Sequence, residues 1–113
     1  RDFVFVRDAV NQTLFYDEHP EVCGLFNCGT GVARSWNDLT RAVFAALGRE
    51  PKINYIDMPD TLRDRYQYHT EADMAKARAA GYDAPFTSLE DGGRAYVQDY
   101  LLKNSSSSIS ASV

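Results

Sequence analysis

Short apolar runs alternate with amphipathic stretches along this chain. Three runs, residues 1–6, 22–27 and 52–58, consist mainly of aromatic, β-branched and aliphatic side chains. Runs of this length, bounded by turn residues, are typical of buried strands, whereas a helix needs a longer periodic pattern. The pattern therefore predicts three short strands.

Four other stretches carry apolar residues at the spacing of a helix. The first runs from Asp8 to Pro20, where the proline ends the pattern. Each of the others opens with a hydroxyl side chain that precedes an aspartate by three positions, as in a helix N-cap. These openings are Ser35, Thr70 and Ser88. Gly48 and Gly81 are placed to end two helices, and residues 60–69 are predicted to be a loop. The helix after Ser35 is predicted to bury one face, formed by Trp36, Leu39, Val43, Phe44 and Leu47.

The order strand, helix, strand, helix, strand, helix, helix predicts an α/β fold with parallel pairing of the first strands. Three strands are few for a self-standing doubly wound sheet, so we expect the first two to complete a sheet whose main part is missing. Because the chain begins inside a predicted strand, we expect it to be a fragment of a longer protein. Residues 1–103 are expected to fold, and the serine-rich residues 104–113 to be a disordered tail.

Composition and charge narrow the classes of function. The net charge of −4 and the pI near 5.0 disfavour nucleic-acid binding, which needs a basic surface. No apolar run approaches the ~20 residues of a membrane span, and we expect no signal peptide. Two cysteines, Cys23 and Cys28, and two distant histidines lack the ligand spacing of a zinc site. We expect reduced cysteines that pack beside a strand.

The stretch at residues 24–39 has the layout of a dinucleotide-binding loop. An apolar run ends in Gly29 and Gly31, and a helix follows. The dinucleotide fingerprint needs a third glycine three positions after the second, but Arg34 stands there, which disfavours cofactor binding. Two interpretations remain: a tight turn between strand and helix, or a turn that lines a ligand crevice together with Asn27.

Arginines and tyrosines offer a second candidate site. The planar fork of Arg1 suits phosphate oxygens, but a surface arginine paired with Asp2 or another acid is the simpler interpretation. Residues 62–69 alternate arginine with tyrosine, which fits either a clamp for a nucleotide diphosphate or a solvated loop. The sequence contains no obvious catalytic set: we find no constrained carboxylate pair, no Ser/His/Asp combination and no Tyr-x-x-x-Lys.

Longer strings of the sequence carry a family resemblance. "RDFVFVRDAV" and "GLFNCGTG" resemble segments of the extended short-chain dehydrogenase/reductases that act on nucleotide sugars. The string P-D-x-L-x-x-R-Y-Q at residues 59–67 and the later "RAAGYDAPF" are similar to the C-terminal part of the branch that epimerises ADP-heptose. The similarity extends over all but the serine-rich tail.

This resemblance implies a function and a set of site residues. The fold would be the C-terminal substrate-binding part of an NAD(P)-binding Rossmann-type enzyme. The intact enzyme would be a cytoplasmic bacterial epimerase of lipopolysaccharide inner-core synthesis, a homo-oligomer that uses bound NADP to invert carbon 6″ of ADP-heptose. By position, Arg1 would contact the diphosphate region of the nucleotide sugar, and Tyr66 would be the substrate-contacting tyrosine, with Arg65 and Gln67 beside it.

The same resemblance limits what this chain can do alone. The family's cofactor loop and its catalytic tyrosine and lysine precede the position of Arg1, so we expect no catalytic or cofactor-binding residue here. The 113-residue chain by itself should be inactive. Another nucleotide-sugar epimerase or dehydratase, or a non-catalytic binding module, are the alternatives.

Overall fold

Helices make up the regular structure of residues 1–104, the part of the chain that the computed structural model describes. They are α1 (Val6–Glu18), α2 (Trp36–Ala46), α3 (Asp60–Arg63), α4 (Ala75–Ala79) and α5 (Leu89–Tyr96). Helix α5 runs on into a π-helical turn, Val97–Leu101. The serine-rich stretch predicted to be disordered lies, apart from residue 104, outside the described residues.

The caps of α2 and α5 confirm the predictions made from Ser35 and Ser88. The hydroxyl of each serine accepts the N–H of the aspartate three positions on, Asp38 or Asp91. At α2 the Asp38 carboxylate also accepts the N–H of Ser35 at 3.1 Å, which completes a reciprocal capping box. Gly48 follows α2 with φ +67°, a conformation that glycine adopts without strain, so the predicted helix end is also confirmed.

The three predicted strands do not form. Residues 1–6, 22–27 and 52–58 contain no strand, so this prediction is wrong for the described part of the chain, and the larger sheet is not confirmed. A strand needs a neighbour to take up its N–H and C=O groups. At the N-terminus, Arg1 and Arg34 do exchange both backbone hydrogen bonds, each 2.7 Å long. This antiparallel pair does not extend into a ladder, because the preceding N–H groups of Val32 and Ala33 donate to side chains.

Small residues bring α2 and α5 together. Ala42 and Ala46 are buried on α2, and a Cβ atom added to Gly93 of α5 would lie 3.7 Å from the Ala42 Cβ. The side chain of Gln98 donates to the Ala46 carbonyl at 3.0 Å, which satisfies a group left unpaired at the end of α2. Of the predicted face, Leu39, Val43 and Phe44 are partly buried beside these alanines. The prediction is wrong for Trp36, which is 54% exposed, and for Leu47.

Helix α4 begins at Ala75, so the predicted cap at Thr70 is wrong. The backbone between these residues is bonded to a distant segment: the N–H of Ala72 donates to the carboxylate of Asp2 at 3.0 Å. Such a contact between distant parts of the chain overrides the local capping signal. The predicted end of the helix is confirmed, since Gly81 follows with φ +107°.

The carboxylate of Asp2 joins three segments of the chain. One of its oxygens accepts the N–H and the hydroxyl of Thr30, at 2.9 and 2.5 Å. The other accepts the N–H groups of Gly31 and Ala72, both at 3.0 Å. Burial raises the pKa of Asp2, but the four hydrogen bonds lower it by more than burial raises it. The hydrogen bond from the Thr30 hydroxyl contributes most to this lowering. The pKa of Asp2 therefore lies below its ordinary value of 3.8. The segments meet so closely that Gly29 has no room for a side chain.

A second carboxylate fixes the approach to α5. Asp8, buried on α1, accepts the N–H of Thr87 at 2.7 Å and its hydroxyl at 3.0 Å. Thr87 directly precedes the Ser88 cap. The position of α5 therefore depends on α1 as well as on α2.

Replacing Asp2 with asparagine should destabilise the protein. The amide keeps one acceptor oxygen, so N–H donors that face the other oxygen lose their partner. We expect the free energy of unfolding to fall by about 2 kcal/mol in urea titrations near neutral pH. Asp57→Asn, on an exposed residue, is the matched control and should change little.

The Asp2 effect should also depend on pH. Because the folded-state pKa lies below the ordinary value of 3.8, the stabilisation is complete above that value and is lost as the pH falls through the folded-state pKa. The stability difference between the wild type and Asp2→Asn should therefore shrink in acid. A difference that stays constant down to about pH 2 would contradict the role of the charge.

A matched pair of glycine substitutions tests the close contact at the turn. A Cβ atom at Gly29 would lie 2.4 Å from the Ala72 Cβ and 2.7 Å from an Asp2 oxygen. Gly29→Ala should therefore cost about 1–3 kcal/mol of unfolding free energy. Gly93→Ala meets only an ordinary contact of 3.7 Å and should stabilise α5 by up to about 1 kcal/mol. Thermal or urea unfolding that gives the two variants the same sign would contradict this account.

Candidate functional site

An open pocket of about 510 Å³ lies between the start of the chain, the N-terminal end of α2 and the segment after residue 57. Its lining combines two arginines with aromatic side chains, a thioether and an imidazole. The residues are Arg1, Ala33, Arg34, Ser35, Trp36, Met58, Tyr66, Tyr68 and His69. The pocket thus contains both predicted substrate-contacting residues, Arg1 and Tyr66.

Arg1 presents its guanidinium to this pocket. The guanidinium carbon lies 5.0 Å from the centre of the Tyr66 ring, in cation–π contact, and Nη1 donates to the Gln67 side-chain oxygen at 3.2 Å. Among residues 1–104, no carboxylate forms an ion pair with the Arg1 side chain. The simpler interpretation, an ion pair with Asp2, is wrong because the Asp2 carboxylate is bonded to backbone N–H groups instead.

Tyr66 is held from two sides. Its hydroxyl oxygen accepts the indole N–H of Trp36 at 2.6 Å, and its ring meets the ring of Tyr68 edge to face, with centroids 5.4 Å apart. Gln67 contacts Arg1 as described, whereas Arg65 is exposed and does not line the pocket. Of the stretch 65–67, the tyrosine is therefore the residue that lines the pocket.

Arg34, the second arginine, is already neutralised. Its two terminal nitrogens donate to both oxygens of Glu90, at 3.2 and 2.5 Å, and its Nε donates to Asp38 at 3.3 Å. The hydrogen bond that Arg34 donates to Glu90 is the main reason that the pKa of Arg34 is raised. Arg34 thus links the segment before α2 to α5. Among residues 1–104, Arg1 is the arginine of the pocket that has no carboxylate partner.

Most N–H groups of the glycine turn already have acceptors within the chain. The N–H groups of Thr30 and Gly31 donate to Asp2, and that of Ala33 donates to a carboxylate oxygen of Glu71 at 2.8 Å. The turn therefore has the donors of an anion site, but the anions are carboxylates of the same chain. It does not fit the pyrophosphate of a nicotinamide cofactor.

Asn27 does not lie in the pocket. Its side-chain amide donates to the backbone carbonyl of Asp73 at 3.1 Å, and its backbone carbonyl accepts from the Gln12 side chain at 2.9 Å. Gln12 is 2% exposed and thus belongs to the interior of the fold. Asn27 is thus not among the residues that line this pocket, and its amide supports the backbone before α4.

The main pocket residue that the pattern analysis missed is Trp36. The helical spacing assigns it to a buried face, yet it is the first residue of α2 and half exposed. Side chains on a helix tilt toward its N-terminus, so an aromatic residue directly after the cap reaches past the helix end. A tryptophan directly after a strong Ser-x-x-Asp cap is the signal that could have identified it.

A second groove, of about 300 Å³, has a different character. Its lining has no charged residue and is dominated by Phe3, Phe5, Leu39, Leu89 and Tyr96. Such a surface offers no counter-charge to a phosphorylated ligand. The candidate site for a charged ligand is therefore the pocket around Arg1.

Two further features of residues 1–104 concern metal ligands and the length of the helices. No cluster of three or more histidine, cysteine, aspartate or glutamate side chains is suited to hold a metal ion there. Both cysteines, Cys23 and Cys28, are free and exposed, so the expectation that they pack beside a strand is wrong. None of the described helices combines the length and the apolar character needed to cross a bilayer.

The sequence is similar to that of curated proteins over nearly its whole length. Two strains of Nitratidesulfovibrio vulgaris, DP4 and Hildenborough, have relatives that are 54% identical over 101 residues, 89% of this chain. A relative from Alkalilimnicola ehrlichii is 46% identical over 97 residues, 86% of the chain. All three are named ADP-L-glycero-D-manno-heptose-6-epimerase. No protein-family model matches the chain.

The similarity covers one part of these relatives. The chain spans 31% of the length of the Nitratidesulfovibrio proteins and 30% of the Alkalilimnicola protein. This chain is thus homologous to about a third of an ADP-heptose epimerase. The resemblance expected from the strings at residues 1–10 and 59–67 is confirmed at that level.

Proposed function

We propose that this chain is the C-terminal substrate-binding part of an ADP-L-glycero-D-manno-heptose 6-epimerase. The intact enzyme would interconvert ADP-D-glycero- and ADP-L-glycero-D-manno-heptose for lipopolysaccharide inner-core synthesis. The 54% identity over 101 residues to proteins of that name carries this proposal. The pocket around Arg1 supports it, because a cation without a carboxylate partner among residues 1–104 suits a diphosphate.

The residues of the pocket would bind and orient the nucleotide sugar. The guanidinium of Arg1 offers paired N–H donors that match two oxygens of a diphosphate. Tyr66 offers a hydroxyl proton, since its oxygen already accepts from Trp36. The exposed aromatic faces of Trp36 and Tyr68 add surface against which a base or sugar can pack.

The chemical step would depend on the rest of the intact enzyme. NADP would supply the oxidation of the sugar. Because the turn at residues 29–34 does not fit a dinucleotide, our proposal places the NADP site outside this chain. Residues 1–103 would complete the Rossmann-type α/β architecture there, with residues 104–113 as a tail. The proposal includes a cytoplasmic homo-oligomer as the working form.

The direct test is the activity of the full-length gene product. It should convert ADP-D-glycero-D-manno-heptose to its epimer, and chromatography measures this conversion. It should also prefer ADP-heptose to UDP-, GDP- and dTDP-sugars. The 113-residue chain with added NADP should give no conversion. A preference for another nucleotide would point to a different nucleotide-sugar epimerase or dehydratase. Conversion by the 113-residue chain would refute the proposal that catalysis and NADP binding need residues outside it.

Two substitutions in the full-length protein test the site residues. Arg1→Ala should raise the KM for the nucleotide sugar about 10- to 100-fold, because it removes a charge-assisted contact. Tyr66→Phe should raise it about 5- to 10-fold, because one hydroxyl donor is lost. Steady-state kinetics with ADP-heptose measure both effects.

Matched controls lie outside the pocket. Arg49→Ala removes an exposed arginine after α2, and Tyr55→Phe removes an exposed phenol that accepts from Asn37. Both should leave KM within about twofold of the wild type. Unchanged kinetics in Arg1→Ala and Tyr66→Phe would remove the site assignment while leaving the epimerase activity itself intact.

A further inference from the structure

We infer that Trp36 is a positioning residue that sets the direction in which the Tyr66 hydroxyl donates its proton. This inference deepens the proposed function and rests on it, since it assigns the polar contact of Tyr66 to an acceptor oxygen of the nucleotide diphosphate. The observation that carries it is the 2.6 Å hydrogen bond from the Trp36 indole nitrogen to the Tyr66 oxygen.

The chemistry of this hydrogen bond fixes its direction. An indole N–H donates and has no lone pair with which to accept, whereas a phenol can do both. Trp36 must therefore be the donor, and it occupies a lone pair of the Tyr66 oxygen. The phenol proton then points elsewhere, and it has no acceptor among residues 1–104. A ligand oxygen in the pocket would accept this proton and so satisfy the Tyr66 hydroxyl.

The indole itself is held on a rigid support. Trp36 is the first residue of α2, directly after the Ser35–Asp38 capping box. The ring of Phe3 packs against the indole edge to face, with centroids 5.1 Å apart and an angle of 77°. Phe3 in turn directly follows Asp2, whose carboxylate anchors the N-terminal segment. The donor therefore has a defined position before any ligand arrives.

Arg1 contributes to the same arrangement from the other side. Its guanidinium lies over the Tyr66 ring at 5.0 Å, and the segment that carries it is fixed by the backbone pair with Arg34. The pocket thus combines a charged fork with a neutral O–H donor whose rotation is restricted. Both groups donate, so the matching ligand atoms are acceptors, as the oxygens of a diphosphate are.

The test replaces Trp36 with phenylalanine in the full-length protein. Phenylalanine keeps an aromatic ring for Phe3 to contact and removes the N–H donor. We expect the KM for ADP-heptose and the Kd for ADP, the latter by calorimetry, to rise about 3- to 10-fold. The kcat should stay within about twofold, because the hydrogen bond directs a contact to the diphosphate and does not act on the reacting carbon.

A double-mutant cycle separates positioning from a structural role. If Trp36 acts through the Tyr66 hydroxyl, then Trp36→Phe should have no further effect on the Kd for ADP in a Tyr66→Phe background. The control is Tyr68→Phe, whose hydroxyl bonds to the Arg63 carbonyl and not to Trp36. In that background the full effect of Trp36→Phe should remain.

The outcomes distinguish this inference from the proposed function. An active wild type with an unchanged KM and ADP Kd in Trp36→Phe would overturn the inference, as would additive effects of Trp36→Phe and Tyr66→Phe. An inactive wild type that still binds ADP with the predicted coupling would overturn the epimerase proposal and uphold the positioning role. A wild type that neither reacts nor binds ADP would overturn both.

Discussion

The described structure depends on one carboxylate. Asp2 binds N–H groups that lie about 30 and 70 positions further along the chain, at Gly31 and Ala72. It therefore holds the glycine turn, the segment before α4 and the N-terminus at one point. Because Arg1 and Phe3 are its neighbours in sequence, the same anchor places the guanidinium over Tyr66 and the phenyl ring against Trp36. The pocket is thus built from residues that a single hydrogen-bonded group brings together.

This anchor also explains why the turn looks like a cofactor loop. Glycines let consecutive N–H groups converge on an anion, and a phosphate or a carboxylate satisfies them equally well. In this chain Asp2 and Glu71 take the place that a pyrophosphate has in a dinucleotide site. Glycine spacing therefore indicates that an anion is bound but not where the anion comes from. The third position of the fingerprint decides the matter, since Arg34 is paired with Glu90 and Asp38.

Features that depend on a few neighbouring residues could be predicted from the sequence. The serine caps of α2 and α5 and the glycine after α2 are of this kind, because their hydrogen bonds close within one turn. The strands and the Thr70 cap could not be predicted, because they depend on which distant segment takes up the backbone N–H groups. At Ala72 that partner is Asp2, 70 positions away.

The candidate site was predictable to a different degree. Arg1 and Tyr66 were expected on the strength of a family resemblance, and the structure brings them within contact. The charge of the pocket follows from a distribution of carboxylates that no local pattern reveals. Asp2 is engaged by backbone N–H groups, and Glu90 and Asp38 are engaged by Arg34. These bonds leave the Arg1 guanidinium without an acid partner among the described residues. Its positive charge is therefore available to a ligand, although Asp2, the expected ion-pair partner, is the next residue in the sequence.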